Sequence, residues 1–311
     1  MKNILVTGGC GYIGTTLVPK LVKKGFNVTV LDNFTFNQQV FSQLYKFKNF
    51  ELIKGDVREE NLIRKLLIKN DIIIPLAALV GAPMCEKDPF GTKTINVDSI
   101  NFLAKETSAD QIIIMPVSNS GYGIGKKNKH CDETSDLKPV SIYAKSKVEA
   151  EKIIMQRKNS ISLRLATVFG MSERMRVDLL VNNFVYKAIH ERSILIFEGH
   201  FKRNFIHIQD VTDAMIFCFK NFKIMKNNIF NVGLDSANIS KLELANLIQK
   251  FLPNFSIVQS EIGKDPDKRD YIVSNKKIMD KGFIPKYDLE FGIMELIKGL
   301  KFLSKSFSSN V

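Results

Sequence analysis

Tyr143 and Lys147 stand four residues apart in Ile142-Tyr-Ala-Lys-Ser-Lys-Val-Glu-Ala-Glu151, a run rich in good helix formers. On a helix that spacing places both side chains on one face. A phenol beside an ammonium, and beside the positive charge of a nicotinamide ring, gives up its proton below its reference pKa of about 10, which would make Tyr143 a general base near neutral pH. Tyr122 and Lys126 share the spacing, but within Gly121-Tyr-Gly-Ile-Gly125, a segment too glycine-rich to be helical and so without a common face. Ser118 follows the apolar run 111–117, at the strand end where ligands of a doubly wound sheet bind. Its hydroxyl could bond both a substrate oxygen and the phenol, or serve only as a turn residue. Asn96, on the preceding expected helix, could hold a water or a backbone group in a proton relay, or lie at the surface.

A cofactor site is marked at the start of the chain. The β-branched run 3–7 feeds directly into Gly8-Gly-Cys-Gly-Tyr-Ile-Gly14, which opens a helix. Glycines at 8, 11 and 14 permit a tight turn, a close approach of backbone to a pyrophosphate, and tight packing of helix on strand. The N–H groups at the helix start, around Tyr12 and Ile13, would then meet the phosphates. The next run ends at Leu31-Asp-Asn33, with Asp32 lying 18 residues after Gly14. A carboxylate there accepts hydrogen bonds from ribose hydroxyls and repels a 2′-phosphate, and no arginine adjoins it. NAD is therefore favoured over NADP. Asp32 also fits a strand-end turn, and Cys10 reads as a small spacer in the loop.

These groups need elements to position them. Strand-like runs at 3–7, 27–31, 51–53, 71–76, 111–117 and 160–165 alternate with amphipathic stretches at 14–24, 38–47, 59–69, 90–108 and 142–156. Such alternation predicts right-handed βαβ units and an α/β fold of the Rossmann type, a doubly wound parallel sheet. Ile72-Ile-Ile74 and Ile112-Ile-Ile114 are apolar on both faces, as strands buried in a parallel sheet should be. Beyond 166 the alternation loosens, with helices expected at 177–191, 211–219, 241–251 and 289–304 and extended pieces at 193–197 and 203–208. The expectation is an NAD-binding domain over 1–168, rejoined by about 204–233, and a smaller α/β substrate-binding domain from 169–203 and 234–311. The tail from 304 to 311 is expected to fray.

Composition sets further bounds. Lys and Arg exceed Asp and Glu by 45 to 32, a net charge of +13, which permits a diphosphate ligand. The basic residues are spread over the whole chain, so neither a nucleic acid nor a membrane is expected as partner. The one tight cluster, Lys126, Lys127, Lys129 and His130, reads as a solvated loop. Cys10, Cys85, Cys131 and Cys218 are too far apart in sequence to suggest a disulfide framework or a structural metal site, and a reducing cytoplasm fits. No apolar signal-peptide stretch precedes the glycines, and the apolar run 72–84 is short and broken by Pro75 and Pro83, so no membrane span is expected.

Taken in order, Thr7-Gly-Gly-Cys-Gly-Tyr-Ile-Gly14, Asp32, Gly55-Asp-Val57, Leu76-Ala-Ala78, Asn96, Ser118 with Tyr122-Gly123, Tyr143-x-x-x-Lys147, Arg203-Asn-Phe-Ile-His-Ile208, Asp210-Val211 and Asn231-Val-Gly233 resemble the extended short-chain dehydrogenases/reductases of the epimerase/dehydratase family that act on nucleotide sugars. The resemblance spans nearly the whole chain. It implies NAD as cofactor, with Asn33, Asp56 and Val57 on the adenosine side and Leu76, Ala77 and Ala78 at the strand end on the nicotinamide side. It implies Val80, Ser118, Asn119 and Ser120 toward the sugar, Arg203 and Arg269 on the substrate diphosphate, no metal, and a homodimer formed through the two helices that carry Asn96 and Tyr143.

One departure from the family pattern is chemical. The 4,6-dehydratases follow the active-site Ser or Thr with acidic residues, whereas Asn119 and Ser120 stand here and neither can act as a carboxylic acid. Elimination of water is disfavoured, leaving oxidation at C4 that ends as a ketone or continues to epimerisation. Segments 75–83, 119–125, 164–170, 174–182 and 265–275 are similar to the branch that oxidises GDP-D-glycero-D-manno-heptose at C4 for surface polysaccharides, which favours a GDP-sugar over UDP- or dTDP-sugars. Arg174 and Arg176 could then neutralise its diphosphate, or sit at a solvated helix start. A UDP-hexose 4-epimerase is the alternative, ahead of a dehydratase or a non-catalytic nucleotide- or RNA-binding relative.

Overall fold

The computed structural model describes residues 2–126, 129–260 and 269–303. Its first half is built from β1 (Asn3–Thr7), α1 (Gly14–Lys23), β2 (Asn27–Asp32), β3 (Phe50–Lys54), α2 (Glu60–Lys69), β4 (Ile72–Pro75), α3 (Ala82–Lys87), α4 (Pro89–Lys93), α5 (Ser99–Glu106), β5 (Ile112–Ser118), β6 (His130–Cys131), α6 (Ile142–Met155) and β7 (Ser160–Leu165). The remainder comprises β8 (Thr167–Phe169), α7 (Leu180–His190), β9 (Ser193–Phe197), β10 (Lys202–His207), α8 (Ile208–Lys220), α9 (Phe222–Met225), β11 (Asn228–Val232), β12 (Asn238–Ser240), α10 (Lys241–Phe251), β13 (Ser256–Ser260), β14 (Ile272–Val273), α11 (Lys276–Asp280) and α12 (Leu289–Leu300).

Seven strands form one sheet in the order β11-β7-β5-β4-β1-β2-β3, every neighbouring pair parallel. The chain leaves β1 in one direction through β2 and β3 and in the other through β4, β5 and β7. The topological switch point therefore lies between β1 and β4, where the crevice at the strand C-termini opens. The sheet is apolar on both faces: Ile4, Val6, Ile72, Ile74 and Ile114 pack with α1 and α8, and Leu5, Ile73, Ile113 and Met115 pack with α2, α5 and α6. Two helical layers thus sandwich the sheet, and the polar side chains that alternate on β7, Ser160, Ser162 and Arg164, are buried with it.

Helix α8 follows the small strand β10 but returns to the first layer, packing Val211, Ala214 and Met215 into the core beside α1. Lys20 on α1 anchors it, its Nζ 2.7 Å from Asp213 and 3.1 Å from the Gln209 carbonyl. β11 then completes one edge of the sheet. A second apolar cluster gathers Phe169, Val181, Val185, Phe205, Leu244, Ile248, Ile293 and Leu296 around the three-stranded sheet β12-β10-β8 and the pair β13-β9. Among the described residues no helix is long and apolar enough to cross a membrane.

Two expectations are corrected. Residues 38–47 form turns rather than a helix. Val40, Phe41 and Leu44 are buried at helix-like spacing, which produced the misleading pattern, but Phe34, Asn37 and Phe41 all have positive φ (58°, 49° and 68°) and fold the segment into turns that insert Phe41 against Phe50. Residues 90–108 are not one regular helix either. Between α4 and α5 the backbone widens to a π turn over Thr94–Asp98, centred on Asn96. Elsewhere, α7 begins at Leu180, three residues after its expected start, and α12 ends at Leu300. Lys127 of the basic cluster, part of the segment 265–275 and the tail 304–311 lie outside the described residues.

Candidate active site

The cleft at the switch point is lined from one end to the other by the expected cofactor and catalytic residues. Gly8, Gly11, Tyr12, Ile13 and Gly14 lie with Asp32, Asn33, Asp56 and Val57 among the lining residues, followed by Leu76, Ala77, Ala78 and Val80, and then Ser118, Ser120, Tyr143 and Lys147. Arg174, Arg176 and Arg269 complete the wall contributed by the later part of the chain.

The glycine loop is shaped to receive a backbone-recognised ligand. Gly8 has a φ of 67°, and a Cβ on it would fall 2.5 Å from the Cα of Ala77; a Cβ on Gly14 would fall 2.1 Å from the carbonyl oxygen of Gly9. Glycine is needed at both for steric reasons. The backbone N–H groups of Tyr12, Ile13 and Gly14 have no hydrogen-bond partner among the described residues and open onto the cleft at the start of α1. That set of donors at a helix N-terminus fits a pyrophosphate. Asp32 closes the loop from the side, its carboxylate accepting from the N–H of Cys10 at 2.9 Å and of Phe34 at 2.9 Å. Burial pushes its pKa up, and these hydrogen bonds pull it back. Next to it Asp56 is held by the Arg58 guanidinium at 2.8 Å and by Asn33 at 3.1 Å, which keeps its pKa near about 2.

The catalytic wall is α6 against the end of β5. Ser141 caps the helix, its Oγ accepting from the Ala144 N–H at 3.1 Å, and it also lines the cleft. Ser118 accepts from the Ser120 N–H at 3.1 Å and lies near enough to the Tyr143 phenol to favour its ionised form. Without cofactor, burial pushes the Tyr143 phenol's pKa up, and the charges of Arg176 and then Arg269 pull it back. Lys147 is itself buried, which lowers its pKa to about 8 and still leaves it mostly charged at neutral pH. The Cys85 thiol, bonded to the Leu79 carbonyl at 3.4 Å, is buried, and burial raises its pKa, so it stays neutral.

Asn96 holds a backbone group, as one of its readings allowed, and Asn119 and Arg203 lie outside the cleft lining. Asn96 is fully engaged with protein: its Oδ1 accepts from the Leu79 N–H at 2.8 Å, and its Nδ2 donates to the Leu79 carbonyl at 2.9 Å and to Ser146 Oγ at 3.1 Å. It positions the loop 77–80 against α6, and the π turn is what aims it there. Asn119 is buried behind the cleft wall and does not line the cleft, because the 3-10 turn Asn119–Tyr122 rotates it away while Ser120 faces in. Arg203 is buried on β10 outside the cleft lining, with Nη1 donating to the Lys202 carbonyl at 2.9 Å.

Other lining residues were not singled out in the sequence: Thr35, Phe36 and Gln38 from the misread 38–47 region and its approach, Ser141, Leu79 and Tyr271. Ser141 had a legible signal, a serine directly before a helix-forming run. The others had none. Tyr122, set aside for lack of a helix, proves to be a structural anchor: its Oη donates to Asn231 Oδ1 at 2.7 Å and to the Asp132 carbonyl at 2.9 Å, and accepts from Arg164 at 3.0 Å. Among the described residues no group of His, Cys, Asp or Glu could hold a metal ion, and the four cysteines are free and buried.

Fold and site together define a dinucleotide-binding enzyme with a tyrosine–lysine pair on the wall of its cleft. Residues 4–233 match the NAD dependent epimerase/dehydratase family, and the chain belongs to that family, with NAD as its cofactor. A putative UDP-glucose 4-epimerase of Methanocaldococcus jannaschii is 27% identical over 96% of this chain and 98% of its own length. A UDP-glucuronic acid decarboxylase 1 of Danio rerio is 26% identical over 96% of this chain and 72% of its own. Among solved structures, Pal from Bacillus thuringiensis has the same fold, with a TM-score of 0.86 at 22% identity, covering 96% of this chain and 99% of that one.

Proposed function

We propose that the chain oxidises the C4 hydroxyl of a nucleotide-linked sugar, with Tyr143 as the general base. The observation that carries this reading is the convergence of Ser118, Tyr143 and Lys147 on one wall of the cofactor cleft. NAD bound there supplies the acceptor for the hydride that leaves C4. Ser118 orients the sugar hydroxyl, and the phenolate of Tyr143 takes its proton as the C–H bond breaks, leaving a ketone. Arg176 and Arg269 favour that phenolate and lie where they could also meet a diphosphate. Ser120 lines the cleft beside Ser118, with its Oγ buried and without a hydrogen-bond partner among the described residues.

Asp32 and Asp56 are the only carboxylates among the described cleft-lining residues, and both lie at the adenosine end. No acid stands beside Ser118 to expel water, which supports oxidation over dehydration. For the sugar, we take GDP-D-glycero-D-manno-heptose with release of the ketone as the first reading, on the segment resemblance given above. A homodimer through α5 and α6 belongs to the same reading. A second reading, return of the hydride in a UDP-hexose 4-epimerase, is favoured by the relative from Methanocaldococcus jannaschii. Incubating the enzyme and NAD with GDP-heptose, UDP-glucose and UDP-galactose separates them. Growth of NADH absorbance with GDP-heptose supports the first reading; clean interconversion of the two UDP-hexoses supports the second. Turnover of no nucleotide sugar defeats both.

A further inference from the structure

The linker 170–179 joins β8 to α7, carries Arg176, and is tied to the cofactor loop by a closed ring of hydrogen bonds. The Gly170 N–H donates to Asn182 Oδ1 at 3.1 Å, Asn182 Nδ2 donates to Tyr12 Oη at 3.2 Å, and Tyr12 Oη donates to the Gly170 carbonyl at 2.7 Å. Each residue in the ring gives one hydrogen bond and takes one. Asn182 and Tyr12 are both buried, and the Asn182 amide can face only one way, because a flip would set its own N–H groups against the Gly170 N–H. Gly170 has a φ of 112°, and a Cβ there would fall 2.4 Å from His207 Nε2, so the linker needs glycine where it enters the ring.

From this ring Asn182 reaches on to Arg176, its Nδ2 also donating to the Arg176 carbonyl at 2.9 Å. Met175 and Val177 on either side are buried in the second apolar cluster, while Arg176 between them lines the cleft. Asp178 holds the guanidinium, with Arg176 Nε 3.2 Å from Asp178 Oδ1. The main chain of Arg176 is thus fixed by Asn182 and its charge by Asp178. At the far side of the ring, Tyr12 belongs to the glycine loop and lines the same cleft. The titratable groups around the Tyr143 phenol are Arg176 and Arg269 from the later part of the chain and Cys85 from α3, with Lys147 one turn along α6; Arg176 is the charge that draws the phenol down most. A buried amide with its donors and acceptor all in use has one geometry, and its loss strands every partner at once.

We propose that Asn182 is a positioning residue for the catalytic end of the cleft: it sets Arg176 at the cleft wall and ties that setting to the cofactor loop through Tyr12. This role rests on Tyr143 as the base of the oxidation proposed above, but the ionisation of the phenol reads it without turnover, so a protein that converts no nucleotide sugar still answers the question. The full chain at saturating NAD is titrated by ultraviolet phenolate absorbance from neutral to alkaline pH. Each variant is compared with the same variant carrying Tyr143→Phe, and the difference gives the Tyr143 midpoint. Arg176→Leu and Asn182→Leu should each raise that midpoint by about half a unit or more, as loss of a nearby positive charge does. The Asn182→Leu/Arg176→Leu double variant should coincide with Arg176→Leu alone, because Asn182 acts only through Arg176. Tyr12→Phe deletes one corner of the ring and should shift the midpoint the same way by less; if Asn182→Leu does not fold, that shift and its disappearance in the Arg176→Leu background carry the same meaning. A midpoint in Asn182→Leu equal to wild type, or a shift that persists when Arg176 is already replaced by leucine, would overturn the role.

Discussion

Lys147 and Glu151 are both buried one helical turn apart on α6, yet the Glu151 carboxylate is committed to Arg164 at 2.6 Å, and Lys147 has neither hydrogen bond nor ion pair among the described residues. The helix therefore carries one neutralised charge that locks it to β7 and one unpaired amine at the cleft wall. The positions differ by a single turn; their surroundings assign them different work.

For Lys147 the consequence is a cost to the fold. Burial lowers its pKa to about 8, from an ordinary lysine value of about 10.4. The native state disfavours the ammonium, so the penalty is fully present below pH 8 and is relieved as pH rises from 8 toward the unfolded value, because the unfolded chain then holds the extra proton. Lys147→Met should abolish turnover and, in the cofactor-free protein at pH 7, raise the melting temperature by several degrees. Thermal melts from pH 7 to 10 check this; a variant that melts lower than wild type at every pH would contradict it.

Glu151 presents the opposite case. Removing one member of a buried ion pair strands the other, at a cost of about 3–5 kcal/mol. Glu151→Ala leaves the Arg164 guanidinium with Tyr122 Oη at 3.0 Å, and Ser162 without its 2.7 Å acceptor. Urea denaturation should show a loss in that range, partly recovered in a Glu151→Met/Arg164→Met double variant. A loss below about 1 kcal/mol would mean the pair is not what fixes α6 to the sheet.

The pH profile reports on Tyr143. Burial raises its pKa, so the base form gains population as pH rises, and the turnover rate should climb on the alkaline side. Arg176→Leu removes the largest opposing charge and should move that limb to higher pH. Tyr143→Phe should lose about 10²–10⁴-fold in turnover while the Kd for NAD stays within a few-fold. A rate that is flat through the alkaline range in wild type would remove Tyr143 as the base.

Asp32 links cofactor choice to loop shape. Its carboxylate holds the Cys10 N–H and faces the adenosine end of the cleft. Asp32→Asn removes the charge that repels a 2′-phosphate and weakens the hydrogen bonds to the loop. NAD affinity should fall by on the order of tenfold, with a smaller change for NADP, so the preference between them narrows. Fluorescence titration with both nucleotides checks the ratio, and an unchanged ratio would locate discrimination elsewhere.

Much of the site was legible because it is written in local sequence. The glycines at 8, 11 and 14 are demanded by backbone approach within one turn, and Asp32 follows at the end of the next strand. Tyr143 and Lys147 share a face because a helix repeats every 3.6 residues. The 38–47 segment misled for a related reason: Val40, Phe41 and Leu44 imitate a helix stripe, but their burial is achieved by turns with positive φ at Phe34, Asn37 and Phe41, and of these only Asn37 is a type that favours that conformation.

By itself the sequence determined the parallel sheet, the cofactor loop and the tyrosine–lysine face, since each follows from periodicity or backbone sterics over a few neighbouring residues. Only the tertiary structure decided that Asn96 is committed to Leu79, and that Asn119 lies behind the cleft wall while Ser120 lines the cleft. The same holds for the phenol's raised pKa, which comes from burial beneath elements far along the chain. Burial and long-range charge depend on what distant segments bring together, and no local pattern encodes them.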